Sequence, residues 1–240
     1  MKIDVLLYPQ SSVGPNLNDK KVVVLDILRA TSTILTALAN RAVEVIPVIE
    51  PSEVVDLVKS IGAAECVTGG ERRGFKIEGL ELGNSPAEYT EDKVAGKKVI
   101  LCTTNGTKAI KWAQSASELI VGSYLNIQAV VDYLKDSTQD VVIVCSGREQ
   151  NLSMEDLACA GMIIQMLEQR CPNLELTDAA TVARIIAEKS VLASLTQFIK
   201  ETEHGRYLIE NGMEPDIAVC TILNQFSIVP KYSNGRVSLN

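Results

Sequence analysis

Histidine is nearly absent from the sequence. His204 is the only one in 240 residues, which excludes every centre built from two or more imidazoles, among them the multi-histidine zinc, iron and copper sites. A single imidazole can still serve as an acid, a base or a lone ligand. An excess of positive charge is also missing. Lys and Arg number 23 against 30 Asp and Glu, a formal charge of −7, which argues against a nucleic-acid partner. No Cys-x-x-Cys pair occurs among Cys66, Cys102, Cys145, Cys159, Cys171 and Cys220. Cys102 and Cys145 sit in or beside apolar runs, and the six read as reduced core thiols of a cytoplasmic protein. No basic segment followed by an apolar one opens the chain, and no apolar stretch approaches the roughly 18 residues needed to cross a bilayer. Secretion and a membrane location are both disfavoured.

Familiar phosphate and nucleophile motifs are missing too. There is no G-x-x-x-x-G-K-[ST] loop, no G-x-G-x-x-G and no G-x-S-x-G, so nucleotide cradles and the nucleophile elbow lack support. Asp26 is followed by Ile27 and Leu28, so the Asp-x-Asp pair of haloacid-dehalogenase phosphatases is absent. Cys66 and Arg72 do stand at the Cys-x5-Arg spacing of cysteine phosphatases. Residue 65 is Glu, however, and Glu71 within that loop opposes both phosphate and thiolate.

What is present is a large apolar fraction, 46% hydrophobic residues against 22% charged, enough for a sizeable core. Residues 1–240 read as a single α/β domain. Short β-branched runs alternate with helix-period segments, the pattern of a mostly parallel sheet with helices on both faces. Strands are expected at Lys2–Leu7, Lys21–Ile27, Val43–Val48, Glu65–Thr68, Lys98–Cys102, Glu118–Val121 and Asp140–Cys145. Helices are expected at Thr31–Asn40, Pro51–Ser60, Thr107–Ser115 and Ile127–Lys135. From about 153 to 220 the pattern turns helical, predicting a C-terminal helical lobe closed by a late strand at Gln225–Val229. Gly69–Pro86 is irregular and carries five glycines; a loop of that length is more often functional than idle, although a surface hairpin around Phe75–Leu82 is the plainer reading.

Ligands of a parallel sheet bind beyond the carboxyl ends of its strands, and four of those ends are rich in polar residues or glycine. They are Asp26 to Thr33, Gly69 to Arg73, Thr103 to Thr107 and Ser146 to Glu149. Arg29, Arg72 and Arg148 offer forked donors for phosphate, carboxylate or sulfonate, and Asn105-Gly106-Thr107 opens a helix whose free N–H groups favour negative charge. Asp26, Glu71 and a carboxylate from Glu155-Asp156 suit a hard divalent cation, and Mg2+ fits oxygen ligands with retained water. Plainer readings stand beside these. Asp26 and Arg29 can form a structural ion pair, Thr31 and Thr104 can be caps or turn residues, and Ser153 to Asp156 is the capping-box spacing. Asn105-Gly106-Thr107 also fits a glycosylation sequon, without meaning in a cytoplasmic protein.

Five segments together resemble the successive motifs of the 2-phosphosulfolactate phosphatase family: Val24-Leu-Asp-Ile-Leu-Arg-Ala-Thr-Ser-Thr33, Gly70-Glu-Arg72, Leu82-Gly-Asn-Ser-Pro86, Thr103-Thr-Asn-Gly-Thr107, and Ser153-Met-Glu-Asp156 with Cys159-Ala-Gly161. The resemblance runs in order along most of the chain. Leu25 and Ile27 flank Asp26 where Val is more usual, and Met154 stands where Leu is common; both departures leave the carboxylates alone. The resemblance implies an α/β fold unlike the common phosphatase folds, and a Mg2+-dependent hydrolysis of 2-phosphosulfolactate to sulfolactate and phosphate, as in coenzyme M synthesis. On this reading Asp26, Glu71, Glu155 and Asp156 are the catalytic candidates, with Asp26, Glu71 and Glu155 holding the metal. Arg29, Thr31, Ser32, Arg72, Asn84, Thr104, Asn105, Gly106, Thr107 and Arg148 bind a small polyanionic phosphorylated substrate. Glu71 or Glu155 supplies the leaving-group proton, and His204 is the weaker candidate because it lies in the helical lobe. A Mg2+-dependent phosphotransferase or lyase on another phosphorylated acid, and a non-catalytic anion-binding protein, are the alternatives. A homodimer is compatible with the sequence.

Overall fold

Strands that are apolar on both faces need cover on both sides, and the chain supplies it. The computed structural model describes residues 1–9, 16–192 and 194–239. In chain order the first elements are β1 (Lys2–Leu6), β2 (Lys21–Leu25), α1 (Ala30–Ala39), β3 (Glu44–Val48), α2 (Pro51–Ile61), β4 (Cys66–Arg72), β5 (Phe75–Lys76), α3 (Glu91–Val94), β6 (Lys98–Cys102) and α4 (Gly106–Trp112). They are followed by β7 (Glu118–Gly122), α5 (Ile127–Leu134), β8 (Val141–Cys145), α6 (Met154–Glu168), β9 (Glu175–Leu176), α7 (Asp178–Leu192), α8 (Leu195–Glu201), α9 (Glu203–Glu210), α10 (Glu214–Cys220), β10 (Lys231–Ser233) and β11 (Arg236–Ser238). The expected α/β pattern, including the C-terminal helices, is therefore observed.

All the strands belong to one sheet in the order β5-β4-β6-β3-β11-β10-β7-β2-β8-β1-β9. Two parallel blocks, β4-β6-β3 and β7-β2-β8-β1-β9, are joined by the β10-β11 hairpin, which runs antiparallel to both neighbours. Because side chains alternate across a strand, β2 feeds two cores. Val23 and Leu25 join Ile143 and the helices α5 to α7 on one face, while Val22 and Val24 join Val144, α1 and α4 on the other. All six cysteines are free thiols, five of them buried; Cys171, expected among the core thiols, is only half-buried.

Two expectations fail at hairpins. The late strand is not at Gln225–Val229, which forms no strand; it begins at Lys231, after Pro230, whose lack of an N–H interrupts ladder pairing. Asn234 and Gly235 both have positive φ, 51° and 82°, the conformation of a two-residue hairpin turn, so the Asn-Gly dipeptide was the stronger signal. Similarly, β4 does not stop at Thr68 but runs to Arg72 and turns back through Arg73-Gly74 to pair Glu71 with Lys76 and Arg72 with Phe75. Part of the expected irregular loop is thus a tight hairpin that carries Glu71 to the rim of the sheet.

Candidate functional site

The register of the parallel blocks fixes where their loops meet. Leu25 is level with Cys145, and Gly70 is level with Cys102. The residues that follow, Asp26, Ser146, Glu71 and Thr103, therefore leave the sheet along one edge. A cleft of about 270 Å³ opens there, lined by Asp26, Arg29, Glu71, Arg73, Arg148 and His204 among others. Asn84, Thr104 and Asn105 also line it, so four separate segments of the expected site do converge.

Each cleft carboxylate is held by a local reason. Asp26 follows β2, is 6% exposed, and its Oδ1 accepts the Ala30 N–H at 3.1 Å, closing the first turn of α1. Burial pushes the Asp26 carboxyl up from its ordinary 3.8 to about 6, against the Ala30 hydrogen bond and the His204 imidazole, which pull it down, and with the Glu71 charge, which adds to the rise. Glu71 ends β4. Its Oε1 accepts the Thr104 N–H at 2.7 Å, and its Oε2 accepts the Gly74 N–H at 2.7 Å and the Thr104 hydroxyl at 3.1 Å. Both oxygens are thereby oriented by the neighbouring loop.

The arginines divide differently from expectation. Arg29 follows the cis Leu28–Arg29 peptide and is 4% exposed. Its ion pair is not with Asp26 but with Asp216 of α10, at 2.5 Å, and its other arm donates to the Gly74 carbonyl at 2.6 Å. Arg148 lies over the Tyr207 ring at 4.5 Å and pairs with exposed Glu203 at 3.3 Å. Arg72 does not reach the cleft. Next to Glu71 on a strand, it must face the other way, and its guanidinium donates to the carbonyls of Ile49 and Glu71. Arg73, on the turn, lines the cleft instead, and its guanidinium has no partner among the described residues.

Other expected site residues turn out to be bracing. Thr31 Oγ1 accepts the Asp26 N–H at 3.1 Å and donates to the Asp26 carbonyl at 2.9 Å, and the Ser32 hydroxyl bonds the Ile27 carbonyl and Ser123. Thr107 is fully buried and exchanges hydrogen bonds with Thr103. Asp156 Oδ1 accepts the Ile27 N–H at 2.8 Å and its Oδ2 accepts the Ser146 hydroxyl at 3.1 Å, tying β2 to β8. Burial, with Asp26 and Glu155 close by, raises the Asp156 carboxyl well above the carboxylate range. The Ser153 hydroxyl caps α6 by accepting the Asp156 N–H, as the spacing suggested. Cys66 sits at the far end of β4, six residues or about 20 Å from Arg72 along an extended strand, and burial pushes its thiol up, so no Cys-x5-Arg phosphate loop exists.

Gly106 contributes through its missing side chain. A Cβ there would lie 2.5 Å from the Ala30 Cβ and 2.7 Å from Asp26 Oδ2. Gly106→Ala is expected to cost about 1–3 kcal/mol by overpacking, read as a lower thermal midpoint; an unchanged midpoint would show that the backbone is not pressed against Asp26.

Glu155 does not join Asp26 and Glu71. It is 1% exposed, and its Oε1 lies 2.8 Å from His204 Nδ1 in a pocket beside the cleft. Burial would raise its carboxyl, but the His204 hydrogen bond and charge outweigh that and hold it below the usual value. Among the described residues, no three His, Cys, Asp or Glu side chains gather closely enough to hold a metal between them. Asp26, Glu71 and Glu149 do line the cleft, however, and the Asn84 Oδ1 that shares it is buried without a hydrogen-bond partner among the described residues. Mg2+ habitually takes one or two protein carboxylates and keeps several waters, so Asp26 and Glu71 with the Asn84 amide oxygen suit it better than the expected trio. The residues missed in the sequence are Arg73, Glu149 and Tyr207 in the cleft, and Asp216 behind it, while His204, the weaker proton-donor candidate, does line the cleft; strand alternation alone could have exchanged Arg72 for Arg73.

Known proteins match this chain along most of its length. Residues 6–235 match the model of the 2-phosphosulpholactate phosphatase family. A probable 2-phosphosulfolactate phosphatase of Clostridium acetobutylicum is 40% identical over 237 residues, covering 99% of this chain and 100% of the relative. One from Carboxydothermus hydrogenoformans is 45% identical over 231 residues, covering 96% and 93%, and one from Caldanaerobacter subterraneus is 44% identical over 222 residues, covering 92% and 91%. With a match that spans both parallel blocks of the sheet and every loop of the cleft, the chain belongs to the 2-phosphosulpholactate phosphatase family.

Proposed function

We propose that the cleft hydrolyses the phosphate monoester of 2-phosphosulfolactate to sulfolactate and inorganic phosphate, with Mg2+ held by Asp26 and Glu71, as a step of coenzyme M synthesis. The observation that carries this reading is the meeting of the Arg29, Arg73 and Arg148 guanidinium groups with the Asp26 and Glu71 carboxylates in one cleft of about 270 Å³. The substrate bears phosphate, carboxylate and sulfonate, and planar guanidinium forks match the oxygens of each. Carboxylates at a place that receives a polyanion repel it, and a cation held between them and the phosphate removes that conflict. When bound, Mg2+ supplies charge neutralisation at the phosphoryl oxygens and a more acidic water.

The chain's own residues do the rest. Arg29, anchored on Asp216 and the Gly74 carbonyl, presents its remaining donors in a fixed direction. Arg148 is kept in place by its stacking on Tyr207, while the unpaired Arg73 brings a charge that substrate can neutralise. Thr104 and Gly74 set the Glu71 carboxylate so that it need not reorganise when the reaction begins. The free thiols support a cytoplasmic setting; no helix among the described residues is long and apolar enough to cross a membrane.

The direct test is phosphate release from 2-phosphosulfolactate. Release with Mg2+, loss on chelation and recovery on adding Mg2+ back is the expected result, and no release at any Mg2+ concentration would overturn the reading. The two neighbouring arginines offer a finer check. Arg73→Ala should lower kcat/KM by a factor on the order of 10–100, the worth of a charge-assisted hydrogen bond. Arg72→Met should change it less than about threefold while lowering stability by about 1–2 kcal/mol, because the Ile49 carbonyl loses its guanidinium donor and keeps only the weak Cys102 thiol at 3.4 Å.

A further inference from the structure

Hydrolysis of an alkyl phosphate leaves an alkoxide, a poor leaving group that needs a proton as the bond to phosphorus breaks. Glu71 cannot readily give one, since both its oxygens already accept hydrogen bonds from Thr104 and Gly74. Glu155 is turned away from the cleft. The chain's one histidine occupies the remaining place. His204 stands in the first turn of α9, lines the cleft together with Asp26 and Arg148, and has its Nδ1 committed to Glu155 at 2.8 Å. An ionised carboxylate can only accept, so the shared proton belongs to Nδ1, and Nε2 is the nitrogen left for a ligand. Tyr207, one turn further along α9, lines the same cleft and carries the Arg148 guanidinium on its ring. Helix α9 therefore brings His204 and the ring that carries Arg148 to the cleft on one face.

We propose that His204 is the general acid of this cleft and that Glu155 is its positioning residue; the inference rests on the phosphatase reading above and deepens it. As the ester P–O bond breaks, the Nε2–H bond of the imidazolium breaks and the alcohol O–H bond forms. The oxygen of a water forms the new P–O bond. A proton from that water returns to the imidazole, so the step balances with no further reactant. Glu155 keeps the ring in one orientation and one tautomer, and faces the imidazolium with a carboxylate that is 1% exposed.

Leaving groups separate this role from a structural one. On 2-phosphosulfolactate, whose leaving group is an alkoxide, His204→Gln should lower kcat by about a hundredfold or more, the range of general acid catalysis. On 4-nitrophenyl phosphate, whose leaving group needs no proton, the loss should stay under about tenfold. Glu155→Gln should show the same split at a smaller size, with KM for the alkyl ester little changed. The unaltered protein gives a second reading that does not depend on any variant folding: a normal solvent deuterium isotope effect on kcat for the alkyl ester and none for the aryl ester. Added imidazole should restore part of the alkyl-ester turnover to His204→Ala.

Equal losses on both esters, no isotope effect on the alkyl ester, or phosphate trapped covalently on His204 after an alkaline denaturing quench, which preserves the P–N bond, would each overturn the assignment while leaving the phosphatase reading intact. Failure of the unaltered protein to release phosphate from either ester overturns both.

Discussion

Asp26→Asn should give a folded protein that releases phosphate on the order of a thousandfold more slowly, and one that is more resistant to heat than the original when both are free of metal. The two halves of this expectation share a cause. Asp26 lies at the end of β2 with 6% of its surface exposed, close enough to Glu71 to feel its charge. Its carboxyl is pushed up from 3.8 to about 6 by burial first of all. A group whose folded-state value is raised favours folding while protonated; that contribution is complete below pH 3.8 and is lost as the pH rises through about 6. Above that, the ionised carboxylate costs the metal-free fold up to about 3 kcal/mol. Asparagine removes the charge but keeps an oxygen to accept the Ala30 N–H, so the turn into α1 survives. The same linkage should make any Mg2+ binding at Asp26 weaken as the pH falls below about 6, because a bound cation requires the ionised form. Thermal unfolding of both proteins from pH 5 to 8, with and without Mg2+, tests the whole argument. Mg2+ should raise the midpoint of the original and leave that of Asp26→Asn in place. Near-normal turnover of the variant at saturating Mg2+ would sink it.

Much of this arrangement is readable from the chain because it is local. The polar stretch from Asp26 to Thr33 follows a run of valines that can only be a strand covered on both sides, and the parallel-sheet rule then sends its loop to the same edge as Glu71, Asn105 and Arg148. All four line the cleft. What sequence could not supply is what depends on separation along the chain. His204 belongs to a helix some distance in sequence from every motif, and only the packing of α9 over the sheet edge brings it to Glu155. Charge matching by proximity in sequence also misleads: Asp26 and Arg29 are three residues apart, yet Arg29 finds Asp216. Ser32 and Thr107, polar residues at helix starts, satisfy backbone and hydroxyl groups in the interior and leave the cleft to others. The β10-β11 hairpin, inserted antiparallel between two parallel blocks, shows the same limit, since its Asn-Gly turn announces a hairpin but not its place in the sheet.

The pairing of Arg29 with Asp216 leads to the largest expected change in stability. The two residues lie 187 positions apart, and their side chains are 4% and 9% exposed. Asp216 also accepts the Ser85 hydroxyl through its second oxygen at 2.5 Å, so one carboxylate from α10 gathers the loop before α1 and the loop after β5. Removing one partner of a buried pair leaves the other charge without compensation, which costs about 3–5 kcal/mol, whereas replacing both with apolar residues of similar volume is often neutral. Asp216→Ala is therefore expected to be destabilised by about 3–5 kcal/mol in urea unfolding, and Arg29→Met combined with Asp216→Leu should recover most of that loss. Activity should not follow. The double variant has no guanidinium to meet the substrate at that corner of the cleft, so its kcat/KM should remain depressed on the order of a hundredfold, the effect of losing a charge-assisted contact. Recovery of stability without recovery of turnover assigns Arg29 to the substrate and Asp216 to holding it there. An Asp216→Ala protein within about 1 kcal/mol of the original would instead mean that water reaches the Arg29 guanidinium and that α10 does not anchor the site.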